Sequence, residues 1–192
     1  MATSSRREQT KLQNRETILA AARQVFAQLG FATATVRDII RATPLASGTF
    51  YNYFKSKEEV YQALRDEVAL KVRPRLREVR LKAHSREEFL VASFRAFFQF
   101  VAESRGDSQP EPERFRMDSP EVLAGFAELR EDITQAMAKG LLPATDAGIL
   151  GAALTGVAFE LAEQVKAGAD VEVMTRFAAA LFLGGIEALP PG

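Results

Sequence analysis

Apolar residues recur at helical spacing along almost the whole 192-residue chain, which argues against any fold built around a β-sheet. One such stripe contains Ile18, Ala22, Val25 and Leu29, each three or four residues after the last. No stretch alternates apolar and polar residues as a half-buried strand does. The sequence therefore predicts an all-α fold, with about nine helices.

Cap and turn residues predict where these helices begin and end. Gly30 is a plausible C-terminal cap of the first helix, and Ser56 caps a long helix that Pro74 should kink or end. Two short helices lie between them, from about residue 36 to 42 and from about residue 47 to 53. Four further helices are expected over about residues 86–105, 120–139, 146–168 and 171–188. Residues 107–118, rich in proline and charge, read as a loop.

Charge is unevenly distributed although the chain as a whole is neutral, with 25 basic and 25 acidic residues. Residues 1–80 contain 15 Lys and Arg against 8 Asp and Glu, so the remainder of the chain carries the compensating negative charge. A basic first part joined to an acidic second part favours binding of a polyanion at one end of the molecule.

Several classes of function find no support in the sequence. Cysteine is absent, so a disulfide framework and a thiolate metal site are excluded, and the single histidine, His84, has no potential metal or nucleophile partner nearby in sequence. There is no glycine-rich phosphate loop and no G-x-S-x-G sequence. Met1 leads into polar residues rather than an apolar segment. We expect a cytoplasmic protein that is not an enzyme, with no membrane span, metal or cofactor.

The two short helices and the tight turn between them are typical of a helix-turn-helix. Ile39 on the first, and Phe50 and Phe54 on the second, would each bury one side against the stripe of the preceding helix. The second short helix then presents small or polar residues outward, suited to base edges and phosphates in the major groove. We predict a three-helix DNA-binding domain over residues 1–56.

The stretch Ala34 to Val60, ATVRDIIRATPLASGTFYNYFKSKEEV, resembles the DNA-binding head of the TetR/AcrR family of transcriptional regulators. The family pattern begins T-V-x-x-I and ends G-T-x-Y-x-x-F-x-S-K. The detailed resemblance covers about 50 of the 192 residues. It implies a homodimer that binds double-stranded operator DNA, with residues 57–192 forming a helical ligand-binding and dimerisation domain.

The resemblance also implies roles for individual residues. Thr35 and Lys57 are expected to contact phosphates, Tyr51 and Tyr53 to reach the DNA backbone, and the small polar residues of the second short helix to meet the groove floor. The complete set of expected DNA contacts is Thr35, Ser47, Gly48, Thr49, Tyr51, Asn52, Tyr53, Lys55 and Lys57.

The turn departs from the family pattern, which usually has Ala-Gly-Val-Ser where this chain has Thr43 to Ala46. Proline at position 44 cannot adopt the left-handed conformation of the usual glycine, so the turn must differ locally. Ala46 lacks a capping hydroxyl, and Ser47 is expected to cap the recognition helix in its place.

Phenylalanines crowd the helix after Ser85 and suggest an apolar effector pocket, although the same residues could fill a solid core. The residues expected to line the pocket are Phe94, Phe97, Phe98, Val101, Phe126 and Phe159. Arginines that could pair with a polar head group are Arg95, Arg105, Arg114 and Arg116.

Taken together, these features predict a ligand-responsive repressor that binds a palindromic operator as a homodimer and is released by a small apolar or amphipathic effector. The alternative is an orphan or architectural DNA-binding dimer without a ligand pocket, and an enzyme on a helical scaffold is a more remote possibility. The resemblance implies that the last two helices form the seam between the two copies, and both are rich in small residues such as Ala179 and Gly184, which let helices approach closely.

Overall fold

The structure, a computed structural model, describes residues 2–104 and 119–185, and this part of the chain is all-helical as predicted. It contains eight helices where the sequence suggested about nine. They are α1 (Ala2–Leu29), α2 (Val36–Arg41), α3 (Ser47–Tyr51), α4 (Lys57–Lys82), α5 (Arg86–Glu103), α6 (Pro120–Ala138), α7 (Ala147–Lys166) and α8 (Val171–Gly185).

Pro74 does not end α4, which continues for two more turns to Lys82. A proline costs the helix one backbone hydrogen bond. Here the residues on both sides of it, Arg73 and Arg77, are held by ion pairs to α6. These tertiary contacts offset the lost bond.

The chain divides into two compact units, and the division falls within α4 between Val68 and Ala69. The first unit contains α1, α2, α3 and the first part of α4. Its core consists of Ile18, Leu19, Ala21, Ala22, Val25, Phe26, Ala34, Ile39, Phe50, Phe54, Val60, Tyr61, Ala63 and Leu64. The predicted burial of the two short helices against the α1 stripe is confirmed.

Helix ends in the first unit follow the cap residues in part. Gly30, at φ 73°, ends α1 as predicted and donates its N–H to the Phe26 carbonyl oxygen at 2.9 Å. The expectation that Ser47 caps α3 is wrong. Ala46 is the N-cap residue with no side-chain hydrogen bond, and Ser47 is already helical.

The turn between α2 and α3 contains no left-handed residue, because the positive φ angles of the described residues occur only at Gly30, Gly140 and Gly168. Thr43 supports the turn with its side chain. Its hydroxyl donates to the Ile40 carbonyl oxygen at 2.9 Å and accepts the N–H of Leu45 at 3.2 Å. The predicted local difference at Pro44 is therefore confirmed.

The second unit packs α5 against α7 and α8, and α6 against α7. The predicted caps are present: the Ser85 side chain accepts the N–H of Glu88 at 3.1 Å, and Asp146 and Asp170 cap α7 and α8 in the same way. The core contains Phe89, Leu90, Phe94, Phe98, Val101, Ile133, Leu142, Leu150, Leu154, Val165 and Ala178.

By length and composition, α7 is the one helix among residues 2–104 and 119–185 that could cross a membrane. Only 28% of its apolar window is buried. One side of α7 contacts α5, α6 and α8, so the helix belongs to the core of the second unit and also has an uncovered side.

Candidate DNA interface and effector cavity

The recognition helix α3 is held by its apolar side and exposes its polar side. Phe50 and Phe54 are 1% and 5% exposed in the core of the first unit. Ser47, Gly48, Tyr51 and Asn52 are exposed, and Tyr51 retains 57% of its accessible surface. Thr49 and Tyr53 are half-buried, at the edge of this polar surface.

Thr35 and Asp38 form a capping box at the start of α2. The Thr35 hydroxyl donates to the Asp38 carboxylate at 2.6 Å and accepts the N–H of Asp38 at 3.3 Å. The Thr35 N–H also donates to this carboxylate, at 3.0 Å. The two donors of Thr35 lower the pKa of Asp38 because they stabilise its charged form. Thr35 is exposed at the start of α2, but its hydroxyl proton is already donated.

Lys57 holds the segment between α1 and α2. Its Nζ donates to the carbonyl oxygens of Phe31, Ala32 and Ala34 at 2.7, 3.1 and 2.9 Å, and lies 4.7 Å from the centre of the Phe31 ring. An ammonium group has three hydrogens, and all three are committed. Lys55, expected to contact DNA as well, has an exposed side chain.

Two exposed arginines of α2, Arg37 and Arg41, were missed by sequence reasoning. They are four residues apart, on the side of α2 opposite the buried Ile39. Once Ile39 was placed in the core, this spacing could have identified them as a basic side of α2.

A partly open cavity of about 70 Å³ lies in the second unit. Its lining residues are Leu76, Arg80, Phe89, Leu90, Ser93, Phe94, Phe97, Leu129, Leu154 and Thr155. The cavity is much smaller than the pockets of about 300 to 1,000 Å³ that enclose drug-sized ligands. It is large enough for a few water molecules or a small chemical group.

The structure brings two of the six predicted effector residues, Phe94 and Phe97, to this cavity. Phe98 and Val101 are buried in the core, 0% and 9% exposed. Phe126 is half-buried on α6 and does not line the cavity. Phe159 is 38% exposed and packs edge-on against Phe97, with ring centres 5.7 Å apart.

The predicted head-group arginines do not reach the cavity. Arg95 is paired at the surface with Glu172, Nε to Oε1 at 2.8 Å and Nη2 to Oε2 at 2.9 Å. Arg105, Arg114 and Arg116 lie outside the described residues. The arginine that lines the cavity is Arg80, which sequence reasoning missed.

Arg80 belongs to an ion-pair seam between α4 and α6. The seam contains Arg73, Arg77 and Arg80 on α4 and Glu128, Glu131 and Asp132 on α6. Its outer pairs are partly exposed, but the side chains of Arg80 and Asp132 are only 5% and 1% exposed. The spacing of the arginines along α4 matches the spacing of the acidic residues along α6, and this match could have suggested the seam. Nothing in the spacing shows which arginine faces a cavity.

An uncovered apolar face runs along α7 and α8. Its large members are 38% to 73% exposed. They are Ile149, Phe159, Val173, Phe177 and Leu181. Gly184 lies beside them and is exposed, whereas Ala179, expected in a seam between copies, is 2% exposed in the core of its own subunit.

Comparison with protein families gives one match for the first unit. Residues 18–64 match the model of the bacterial regulatory proteins of the tetR family. The regulator UidR of Escherichia coli strain K12 is 40% identical over 57 residues. That segment is 29% of this chain and 29% of UidR, so the chain matches less than a third of the length of this curated relative.

Solved structures resemble the chain over most of its length. The fatty acid degradation regulator FadR from Bacillus halodurans is 25% identical, with a TM-score of 0.73, over 90% of this chain and 96% of that one. FadR from Bacillus subtilis, solved in complex with stearoyl-CoA, is 21% identical with the same TM-score of 0.73. That match covers 89% of this chain and 98% of FadR, and it shows a shared fold.

Proposed function

Because residues 18–64 match the tetR family model, we propose that the chain is a TetR-family DNA-binding transcriptional regulator rather than an enzyme, and a repressor of the ligand-responsive kind. It binds a palindromic operator as a homodimer, and a small effector in the second unit releases it. In this proposal, residues 1–56 carry the DNA contacts, while residues 57–192 carry dimerisation and effector binding.

The observation that carries the proposal is the exposed polar side of α3 on a well-packed head. Ser47, Gly48, Thr49 and Asn52 face the groove floor in the proposed complex, where small hydrogen-bonding side chains read base edges. Tyr51 joins Tyr53 and Lys55 at the phosphates. The exposed Arg37 and Arg41 add the basic side of α2 to these contacts.

Thr35 and Lys57 have a different place in the proposal. Both are committed to hydrogen bonds within the head, so neither has a free donor in this conformation. Lys57 contributes mainly by fixing the segment that leads into α2, and its charge still adds to the positive potential at the DNA. A direct phosphate contact from either side chain would require one of these internal bonds to be exchanged.

A second copy of the chain is the proposed partner of the uncovered apolar face on α7 and α8. Side chains as large as Ile149 and Phe177, 73% and 55% exposed, are unfavourable in water. A two-fold symmetric operator requires two heads, with half-sites about 34 to 36 Å apart or a multiple of it. A dimer through α7 and α8 would cover this apolar face and supply the two heads.

The effector proposal rests on the aromatic cavity of the second unit. Phe89, Phe94 and Phe97 supply apolar walls of the kind that ligand pockets use. The structural likeness to FadR from Bacillus subtilis, which was solved with stearoyl-CoA, is consistent with an effector that has a large apolar part. The small cavity must widen to admit such a molecule, and this widening is the conformational change that favours the released state.

Selection of DNA from a random duplex library by the full-length protein tests DNA recognition directly. We expect enriched sequences with two-fold symmetry, and loss of enrichment for the double variant Tyr51→Ala/Asn52→Ala. Lys139→Ala, at the exposed C-terminal end of α6, is the control that should select the same sequences. Enrichment without symmetry, or enrichment unchanged in the double variant, would contradict the proposal.

A further inference from the structure

Arg80 is a buried cation in the wall of an otherwise mostly apolar cavity. Seven of the ten lining residues are leucine or phenylalanine, and Arg80 itself is 7% exposed. Burying a guanidinium group is costly unless acceptors surround it. A cation in this position therefore needs an explanation that packing alone does not provide.

The protein satisfies this cation only in part. Nε of Arg80 donates to the carbonyl oxygen of Leu76 at 3.1 Å and lies 3.1 Å from Oδ2 of Asp132. Within residues 2–104 and 119–185, the guanidinium group of Arg80 makes one hydrogen bond, and it does so through Nε. Its other two nitrogens, Nη1 and Nη2, can therefore donate to a ligand. Asp132 also lacks hydrogen bonds, since neither of its buried carboxylate oxygens accepts one with good geometry.

The pKa values of Arg80 and Asp132 also show that the pair is poorly satisfied. Burial lowers the pKa of Arg80, and burial raises the pKa of Asp132, in each case against the attraction of the partner. The environment therefore disfavours both charges. A further hydrogen-bond acceptor near Arg80 would offset the free-energy cost of removing its charge from water. Asp132 has a second cation within reach, because Arg77 Nη1 lies 3.9 Å from its Oδ1.

We infer that Arg80 binds the carboxylate of an amphipathic carboxylic acid whose apolar body lies against Phe94 and Phe97. This inference rests on the effector-responsive function proposed above. A planar carboxylate matches the two free edge nitrogens of a guanidinium group. A phosphate, with a charge of about −1.5 to −2, requires more cations than the single one in this cavity. The hydroxyl of Thr155, which also lines the cavity, can donate to the same carboxylate.

Binding of the acid changes the seam as well as the cavity. The ligand carboxylate competes with Asp132 for Arg80, and Asp132 then depends on Arg77. Both arginines are on α4, so occupation of the cavity alters the contacts that hold α4 to α6. The acid group of the effector, and not only its apolar body, therefore contributes to release.

Calorimetric titration of the full-length dimer with matched pairs of ligands tests the inference. The probes are straight-chain carboxylic acids of 6 to 18 carbons and alkyl-substituted benzoic acids, each paired with the alcohol and the monophosphate of the same skeleton. We expect at least one acid to bind about 10-fold or more tightly than its alcohol and its phosphate, as loss of a charge-assisted hydrogen bond implies. In Arg80→Met this preference should disappear.

Two further variants keep the result interpretable. Arg80→Met/Asp132→Leu removes both charges, leaves no unpaired buried carboxylate, and should fold even if the single variant does not. Arg75→Met removes another arginine of α4, which is 50% exposed, pairs with Glu103 and does not line the cavity, and it should keep the acid preference. Melting curves of each variant establish that it is folded.

The possible failures are distinct. Equal binding of an acid to wild type and to the folded double variant overturns the role of Arg80. Binding of alcohols or phosphates in preference to every acid overturns the carboxylate but leaves an apolar effector in place. If none of the probes binds, both this inference and the proposed apolar effector are contradicted, whereas operator selection would still support the DNA-binding function.

Discussion

Lys57 illustrates how one side chain can stabilise the proposed DNA-binding head from within. Its ammonium group joins the carbonyl oxygens of three residues in the α1–α2 segment, and so fixes the approach to α2. Resemblance to a family indicates that a lysine is needed at this position. The structure identifies a reason in the folding of the head itself.

Lys57→Ala should lower the free energy of unfolding by about 1 to 2 kcal/mol, since hydrogen bonds to charged groups are worth about 1.5 to 3 kcal/mol and this one is partly exposed. Lys55→Ala removes the same charge two residues earlier, from an exposed side chain. It should leave the melting temperature unchanged and reduce the slope of log affinity against log salt by about one per subunit. A Lys57→Ala protein as stable as wild type would contradict the structural role.

Asn52→Ala and Thr49→Ala should each weaken binding to the selected operator by about 1 to 3 kcal/mol and relax base preference at one position of each half-site. Binding to random duplexes should change little, because these side chains face base edges in the proposed complex. Fluorescence anisotropy on both kinds of DNA makes the comparison. Equal losses on operator and random DNA would assign the two residues to the backbone instead.

At the scale of the helix, a sequence predicts those features that depend on residues close together in the chain. The ends at Gly30, Ser85, Asp146 and Asp170 were predictable because a cap depends on a few neighbouring residues. The continuation of α4 through Pro74 was not, because it depends on contacts with α6, far away in sequence. The same limit hid Arg80, since its neighbours in space come from other helices.

The capping box of α2 should make the stability of the head depend on pH. Hydrogen bonds from Thr35 lower the pKa of Asp38 in the folded state, so this stabilisation is complete above the usual aspartate pKa of about 3.9. It is lost as pH falls through the lower folded pKa. The difference in melting temperature between wild type and Asp38→Asn should therefore be largest near neutral pH and shrink below about pH 4. A difference independent of pH would contradict the ionised cap.

The Arg80–Asp132 pair should matter little to stability when it is replaced as a pair. Both members are buried and poorly hydrogen-bonded, so exchanging them together for Met and Leu should be neutral or stabilising by about 1 to 4 kcal/mol. Arg80→Met alone should cost about 3 to 5 kcal/mol because it leaves the buried Asp132 with only the more distant Arg77 as a partner. Urea denaturation of the two variants measures the difference. If Arg80→Met/Asp132→Leu had a lower free energy of unfolding than Arg80→Met, the charged pair would be shown to stabilise the fold.

At the scale of the whole molecule, the proposed repressor needs surfaces that a single chain leaves open. A five-residue recognition helix gives few base contacts, so a second head is needed for a specific site. The apolar face of α7 and α8 offers the means of bringing two copies together. In this arrangement the N-terminal part of the chain contacts the DNA, and the C-terminal helices α7 and α8 join the two copies.

Phe177→Glu should yield monomers that bind operator weakly, because it places a charge in the proposed contact between copies. Leu123→Glu makes a comparable change at a residue of α6 that is 50% exposed, close to the 55% of Phe177, and it should remain dimeric. Sedimentation velocity of both variants distinguishes the two cases. A wild-type monomer, or a dimer unaffected by Phe177→Glu, would remove this face from the assembly.

The placement of a single buried ion pair at an aromatic wall also bears on how such a regulator diversifies over evolutionary time. Under the role proposed for Arg80, two substitutions would suffice to change the head group that the cavity prefers, because Arg80 and Asp132 can be exchanged together without leaving an unpaired charge. The phenylalanine walls and the head would need no adjustment. Descendants of this fold could thus acquire new effectors while keeping their operators.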